Sequence, residues 1–286
     1  MGAVSASRSE VQPQRRQALV WPREHGAWGI VLVALFTGAG AGLSSAQNLP
    51  PLFWLTLAVV AAFCLRTPIE NSLPASPFRP RTAAEWRSVM TASAAYAVCG
   101  GFAVWMLARA GVLNLFWKPG LAAAGLFALQ AVIKRAGRSY RAPGEVVGAF
   151  GLALTAVGGW AVATGQINSQ AVALWILNGL FATIQIIYVQ FRIRAARGGS
   201  FPKASTRRRL LIGEMFVFLV LVAGASAGVM PALALVAFLP ILVDVVNWSL
   251  RATSQPLEIH RLGRSQLAHS ILFGLLLITA FRLPFP

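Results

Sequence analysis

"WPREHGAWGIVLVALFTGAGAGLSS", Trp21 to Ser45, sets Arg23, Glu24 and His25 directly against Ala27–Ser45, a run of 19 residues without a charge. A helix of about 20 mainly apolar residues crosses a bilayer, because each residue rises about 1.5 Å through a hydrocarbon core about 30 Å thick. The stretch therefore reads as a membrane helix with three ionisable side chains at its lip. How often that pattern recurs decides the fold.

Further apolar segments run approximately Leu52–Leu65, Val89–Ala108, Phe116–Ile133, Val146–Thr164, Ala171–Phe191, Leu210–Gly228, Ala232–Leu250 and Leu267–Leu283, giving nine candidates in all. The second and fourth are short, and Pro240 is expected to kink the eighth or be accommodated by its neighbours. Lipid offers the backbone no hydrogen-bond partners, so the spans must be helical, and the alternation of a membrane barrel is absent. The expected fold is an all-α polytopic membrane protein of about nine transmembrane helices. Composition agrees, with 57% hydrophobic and 12% charged residues against a soluble average of about 45–50% and about 25%. Residues 1–20 read as a disordered cytoplasmic tail without the apolar core of a signal peptide, and 21–286 as a single transmembrane helical domain. Cys64 and Cys99 sit inside apolar segments, where cysteine behaves as a small hydrophobe.

A net charge of +17 raises nucleic acid as a partner, but the cations fall between apolar runs and form no basic domain or recognition motif. Their side of the membrane is the informative feature. With nine spans and the amino terminus inside, 22 of the 25 lysines and arginines fall on the cytoplasmic side, leaving Arg109, Lys118 and Arg282 outside. By the positive-inside rule this places the protein in the cytoplasmic (inner) membrane, amino terminus in the cytoplasm and carboxyl terminus outside. The basic inner loops should attract anionic lipid headgroups, at about 1 kcal/mol per near-surface residue.

The acids, Glu10, Glu24, Glu70, Glu85, Glu145, Glu214, Asp244 and Glu258, and the histidines, His25, His260 and His269, fall on the same inner side. Orientation does not require this, because acids contribute little to it. Either each acid pairs with a nearby arginine to lower the cost of charge at the interface, or the groups line a polar cavity open to the cytoplasm. Asp244 and Asn247 lie three residues apart on one helix face. Asn178, Gln185 and Arg192 recur every seven residues with Tyr188 between, and such stripes also serve helix–helix hydrogen bonding. Glu214 stands just beyond "RRRLLIG" and needs a partner such as Arg192, Arg251 or a histidine. The candidate polar cavity comprises Arg23, Glu24, His25, Arg66, Glu70, Asn71, Gln185, Tyr188, Arg192, Glu214, Asp244, Asn247 and His269. Pro22 and Glu24 suit a helix start, which leaves His25 as a proton carrier, a ligand anchor or a packing residue. A metal bound by Glu24, His25, His260 and His269 is not demanded by any spacing, and no cofactor follows from the residues.

"PREHGAWG", followed by all-apolar spans, "RTPIEN" after the second and "RLGRSQLAHSILF" opening the last, resembles the YwiC-like family of bacterial membrane proteins. That resemblance implies a membrane location and no particular reaction. Nine spans with cytoplasmic polar loops after the second and sixth also resemble the UbiA-type intramembrane prenyltransferases, and imply a UbiA-like bundle. That family holds magnesium and an isoprenoid diphosphate with two aspartate-rich motifs in those loops, and an aromatic acceptor in a central cavity. Here the first loop offers Arg66, Glu70 and Asn71, with Glu85 further on, while the second, through "QFRIRAARGGSFPKASTRRR", has no acid before Glu214. The layout is shared without the second metal-binding motif. Arginines match phosphate geometry directly.

The function expected is handling of a lipid-soluble molecule of isoprenoid or quinone type in a cytoplasm-facing cavity, as an enzyme or accessory factor. A small-solute transporter and a noncatalytic membrane scaffold are the alternatives. The outer half of the chain is nearly free of ionisable groups and shows no internal repeat, which disfavours a transport pathway.

Overall fold

The computed structural model describes residues 15–22, 25–73, 76, 78–137, 140–197, 204–250 and 259–283, without the side chains of 25, 141, 197, 204–206, 259 and 260. The helices are α1 (15–20), α2 (His25–Gly42), α3 (Leu49–Ser72), α4 (Ala83–Arg109), α5 (Trp117–Arg135), α6 (Arg141–Ala153), α7 (Thr155–Thr164), α8 (Ser169–Arg197), α9 (Ala204–Ser226), α10 (Ala234–Leu250) and α11 (Ile259–Arg282). No strand occurs among the described residues. Six helical segments there are long and apolar enough to cross a membrane: Ala46–Ser72, Ala83–Arg109, Ala142–Thr164, Ser169–Ala196, Arg207–Ser226 and Arg261–Arg282. Gly26–Gly42 and Ala234–Leu250 are shorter apolar helices. The chain is an all-α, multi-pass integral membrane protein.

Every apolar segment of the sequence falls on helix, with differences at the ends. The second, expected to stop near Leu65, continues as α3 through Arg66 and the buried Pro68 to Ser72. "RTPIEN" is therefore the end of a helix and not a loop. Likewise α8 continues past Phe191 through Arg192 to Arg197. The fifth segment is divided at Leu154 into α6 and α7, where Thr155 Oγ1 donates to the Leu152 and Val31 carbonyls at 2.9 and 3.0 Å. Pro240 is carried inside α10 without interrupting it.

Two compact units make up the chain, residues 1–25 with 50–113 and residues 26–49 with 114–286. In the smaller, Thr82 caps α4 by accepting from the Glu85 amide at 3.2 Å, and Glu85 Oε2 accepts from the Arg81 amide at 2.6 Å. This is a variant of the capping box, satisfying donors that the first helical turn leaves open. Glu85 Oε1 also takes Arg15 Nε at 2.7 Å. Asn71 Nδ2 donates to the Leu19 carbonyl at 3.0 Å, and Leu19 itself is buried. Residues 15–20, within the segment read from sequence as a tail, are thus helical and anchored.

The larger unit is organised around three buried phenylalanines from different helices. Phe181 of α8 stacks on Phe273 of α11 with centroids 3.9 Å apart, and Phe238 of α10 meets Phe273 edge-on at 5.2 Å. Small residues bring α2 and α7 closer than side chains would allow: a Cβ on Gly38 would overlap the Ala156 carbonyl, and one on Gly159 the Leu35 carbonyl. Close backbone approach of this kind is how helices pack where lipid is as apolar as their side chains.

Candidate functional site

The acids have different fates, which decides between pairing and cavity residue by residue. Glu70 pairs with Arg66 at 2.7 Å, one turn away on α3, and Glu85 pairs with Arg15. Glu145 instead accepts from Gln190 Nε2 at 2.5 Å, tying α6 to α8. Asp244 meets the Tyr188 hydroxyl. Glu214 is 6% exposed, and its Oε2 has no hydrogen-bond partner among the described residues. Glu10, Glu24 and Glu258 lie outside those residues, as do Arg23, Arg251 and the side chains of His25 and His260.

The polar stripe of α8 is the part of the candidate site whose partners are defined. Asn178 is buried and donates to Thr37 Oγ1 of α2 at 2.9 Å. Two turns on, Gln185 Nε2 donates to the Gln266 carbonyl and to Ser270 Oγ of α11, both at 3.0 Å. One turn further, Tyr188 is fully buried, and its hydroxyl accepts from Arg192 Nη1 at 2.7 Å while contacting Asp244. A hydrogen bond therefore joins guanidinium and phenol, with the Asp244 carboxylate beside them. The Arg192 guanidinium carbon also stands 5.5 Å from the Tyr188 ring centre and 5.6 Å from that of Trp248. Two aromatic faces and one hydroxyl orient it, and no ion pair occupies it among the described residues. Guanidinium has five N–H donors in a planar fork suited to carboxylate or phosphate.

Between α2, α8 and α11 lies a cleft lined by Gly29, Ile30, Val33, Asn178, Phe181, Ala182, Gln185 and Ser270, with room for about one water molecule. Gly29 and Val33 lie four residues apart on α2, so "GIVLV" brings this face of the helix to the polar stripe. His269 is half-buried, and its Nδ1 has no partner among the described residues.

Arg66, Glu70 and Asn71 belong to the smaller unit and the α8 stripe to the larger. Asn71 is engaged with the Leu19 carbonyl and with Ser76 Oγ. Asn247, although three residues from Asp244, is exposed. Among the described residues no three His, Cys, Asp or Glu side chains are grouped to hold a metal ion. The stripe's partners Thr37, Trp248 and Ser270 were not among the sequence candidates. A signal existed only for Trp248, one turn from Asp244.

Residues 21–159 match the family described as YwiC-like protein. The matched segment contains "PREHGAWG" and "RTPIEN" and ends within α7, whereas "RLGRSQLAHSILF" lies beyond it. No curated protein and no solved structure matches the chain.

Proposed function

We propose that this chain, YwiC-like over residues 21–159, binds a lipid-soluble molecule of isoprenoid or quinone type by its polar head, in the inner membrane of a bacterium. The observation that supports this is Arg192, held by the Tyr188 hydroxyl and two aromatic faces with most of its donors unspent. It stands near the end of α8 that the charge bias assigns to the cytoplasm, with the amino terminus inside and the carboxyl terminus outside. A guanidinium fixed in this way loses little side-chain entropy on meeting an anion. Gln185 and Tyr188 on α8, Asp244 on α10 and His269 on α11 supply neutral and acidic groups in the larger unit, and Arg23, Glu24, His25, Arg66, Glu70, Asn71 and Asn247 are candidates by their place in the sequence. The one-water cleft is too small for a ring, so the head binds at the stripe's end, with the hydrocarbon tail in lipid. The basic inner loops add attraction for anionic headgroups.

Native mass spectrometry of the detergent-extracted protein, with a prenyl diphosphate or a quinone added, tests this reading. The expected outcome is a bound ligand whose affinity drops about 10- to 100-fold in Arg192→Gln, the loss of a hydrogen bond to a charged group. Protein that takes up no member of a panel of prenyl diphosphates and quinones would sink it. Transport is the second reading, favoured by the interruption at Leu154 inside the Ala142–Thr164 span, since broken helices build midplane sites. Substrate-dependent flux in proteoliposomes would establish that alternative.

A further inference from the structure

Glu214 is the one described acid whose surroundings neither an ion pair nor a side chain of α8 explains. It lies on α9 within the apolar span Arg207–Ser226, seven residues past Arg207, which is about 10 Å along the helix axis. Its neighbours Met215 and Phe216 are exposed, 63% and 66%, as lipid-facing residues would be, whereas Glu214 turns inward and is 94% buried by the same measure (6% exposed). α9 packs against α10 and α8. The charged and titratable groups described on those helices are engaged elsewhere: Tyr188 with Arg192 and Asp244, and Arg194 with Gln190. On α9 itself Arg207 donates to the Ser249 carbonyl of α10 at 3.1 Å, two turns before the acid, and Arg208 and Arg209 are exposed. Lys203, Arg251 and the side chain of His260 lie outside the described residues.

A bare carboxylate inside a membrane protein costs several kcal/mol, and it avoids that cost only by holding a positive charge against itself. We infer that Glu214 is an exchangeable binding site for a small cation, a proton or an alkali metal ion, buried in the α8–α9–α10 packing. Nothing in the ligand-head reading requires this site, so each can stand without the other. A cation entering from the cytoplasmic end would pass Arg207 before reaching it, which favours the proton, able to move along hydrogen bonds, over a hydrated ion.

Dicyclohexylcarbodiimide tests the inference, because this apolar reagent reaches carboxylic acids buried in membranes. The acid adds across the N=C=N bond, its proton going to nitrogen and its oxygen to carbon. Rearrangement to an N-acylurea leaves a stable mass label with no group lost. The full-length protein in native membranes is treated from mildly acidic to alkaline pH, with and without sodium or potassium, and mapped by peptide mass spectrometry. We expect the label on Glu214, absent in Glu214→Gln and retained in Asp244→Asn. Labelling that falls as pH rises, with no effect of salt, assigns a proton, and suppression by one alkali ion assigns that ion. A Glu214 that is never labelled, or one labelled to the same extent at every pH and salt, overturns the inference, since the first is inaccessible and the second a fixed structural acid.

Discussion

Asn178 and Thr37 show what a polar side chain is doing in an otherwise apolar helix. Asn178 Nδ2 serves both Thr37 Oγ1 and the Leu174 carbonyl, and Thr37 Oγ1 in turn donates to the Ala34 carbonyl. The pair joins α2 to α8 while leaving each helix's own backbone bonds intact. Hydrogen bonds between membrane helices average about 0.6 kcal/mol and reach about 1.7, because the alternative state also finds partners. Comparing Thr37→Val, Asn178→Ala and the double variant by equilibrium unfolding in detergent should give a coupling in that range. Strict additivity would mean that the observed bond contributes nothing. The sequence showed Asn178 as part of a heptad-spaced stripe, but a threonine inside "LFTGAG" carries no periodic signal, so its role depended on which helix came to lie opposite.

At the scale of elements, one of the three cations left on the outer side by the charge sorting ties two helices together, while Arg109 and Lys118 stand over the tryptophans of their own helices, Trp105 and Trp117. Arg282, in the last turn of α11, donates from Nε to the Gly40 carbonyl at 2.7 Å and from Nη2 to the Leu43 carbonyl at 3.0 Å. These are carbonyls at the end of α2, where a helix has no backbone donors left for them. A cation there also suits the negative end of the helix dipole. Arg282→Ala should cost about 1 kcal/mol, the usual net value of such bonds at an exposed site. Amide exchange at Gly42 and Leu43 should quicken as the end of α2 frays. Lysine in its place restores the charge but cannot span both carbonyls, so Arg282→Lys should recover only part of the loss, and full recovery would show that charge alone matters. Helix ends were the least legible elements in the sequence. Hydropathy falls at Arg66 and at Arg192, yet α3 and α8 continue for further turns, because polar side chains satisfy the interface without disturbing backbone bonds.

For the molecule as a whole, the one-sided distribution of lysine and arginine predicts an amino terminus in the cytoplasm and a carboxyl terminus outside. Fusions to each end measure this directly. Alkaline phosphatase joined after Pro286 should be active and a fluorescent protein at the same position dark, with the reverse at the amino terminus. A fluorescent carboxyl-terminal fusion would remove one span from the pattern and reverse the side on which the loops of the second half lie.

What the sequence alone determined is the all-helical, membrane-spanning class, the rough position of each apolar helix, and the likeness of residues 21–159 to YwiC-like proteins. All three rest on local properties, apolar length and short motifs, and a bilayer makes these decisive by denying the backbone any partner but itself. The tertiary structure decided which polar groups meet: Glu70 and Glu85 are spent on arginines, Glu145 on a glutamine, Asp244 on a tyrosine, and Glu214 on nothing among the described residues. Spacing along one helix places a side chain on a face. What that face meets is set by the packing of phenylalanines and glycines on other helices, which no single segment encodes.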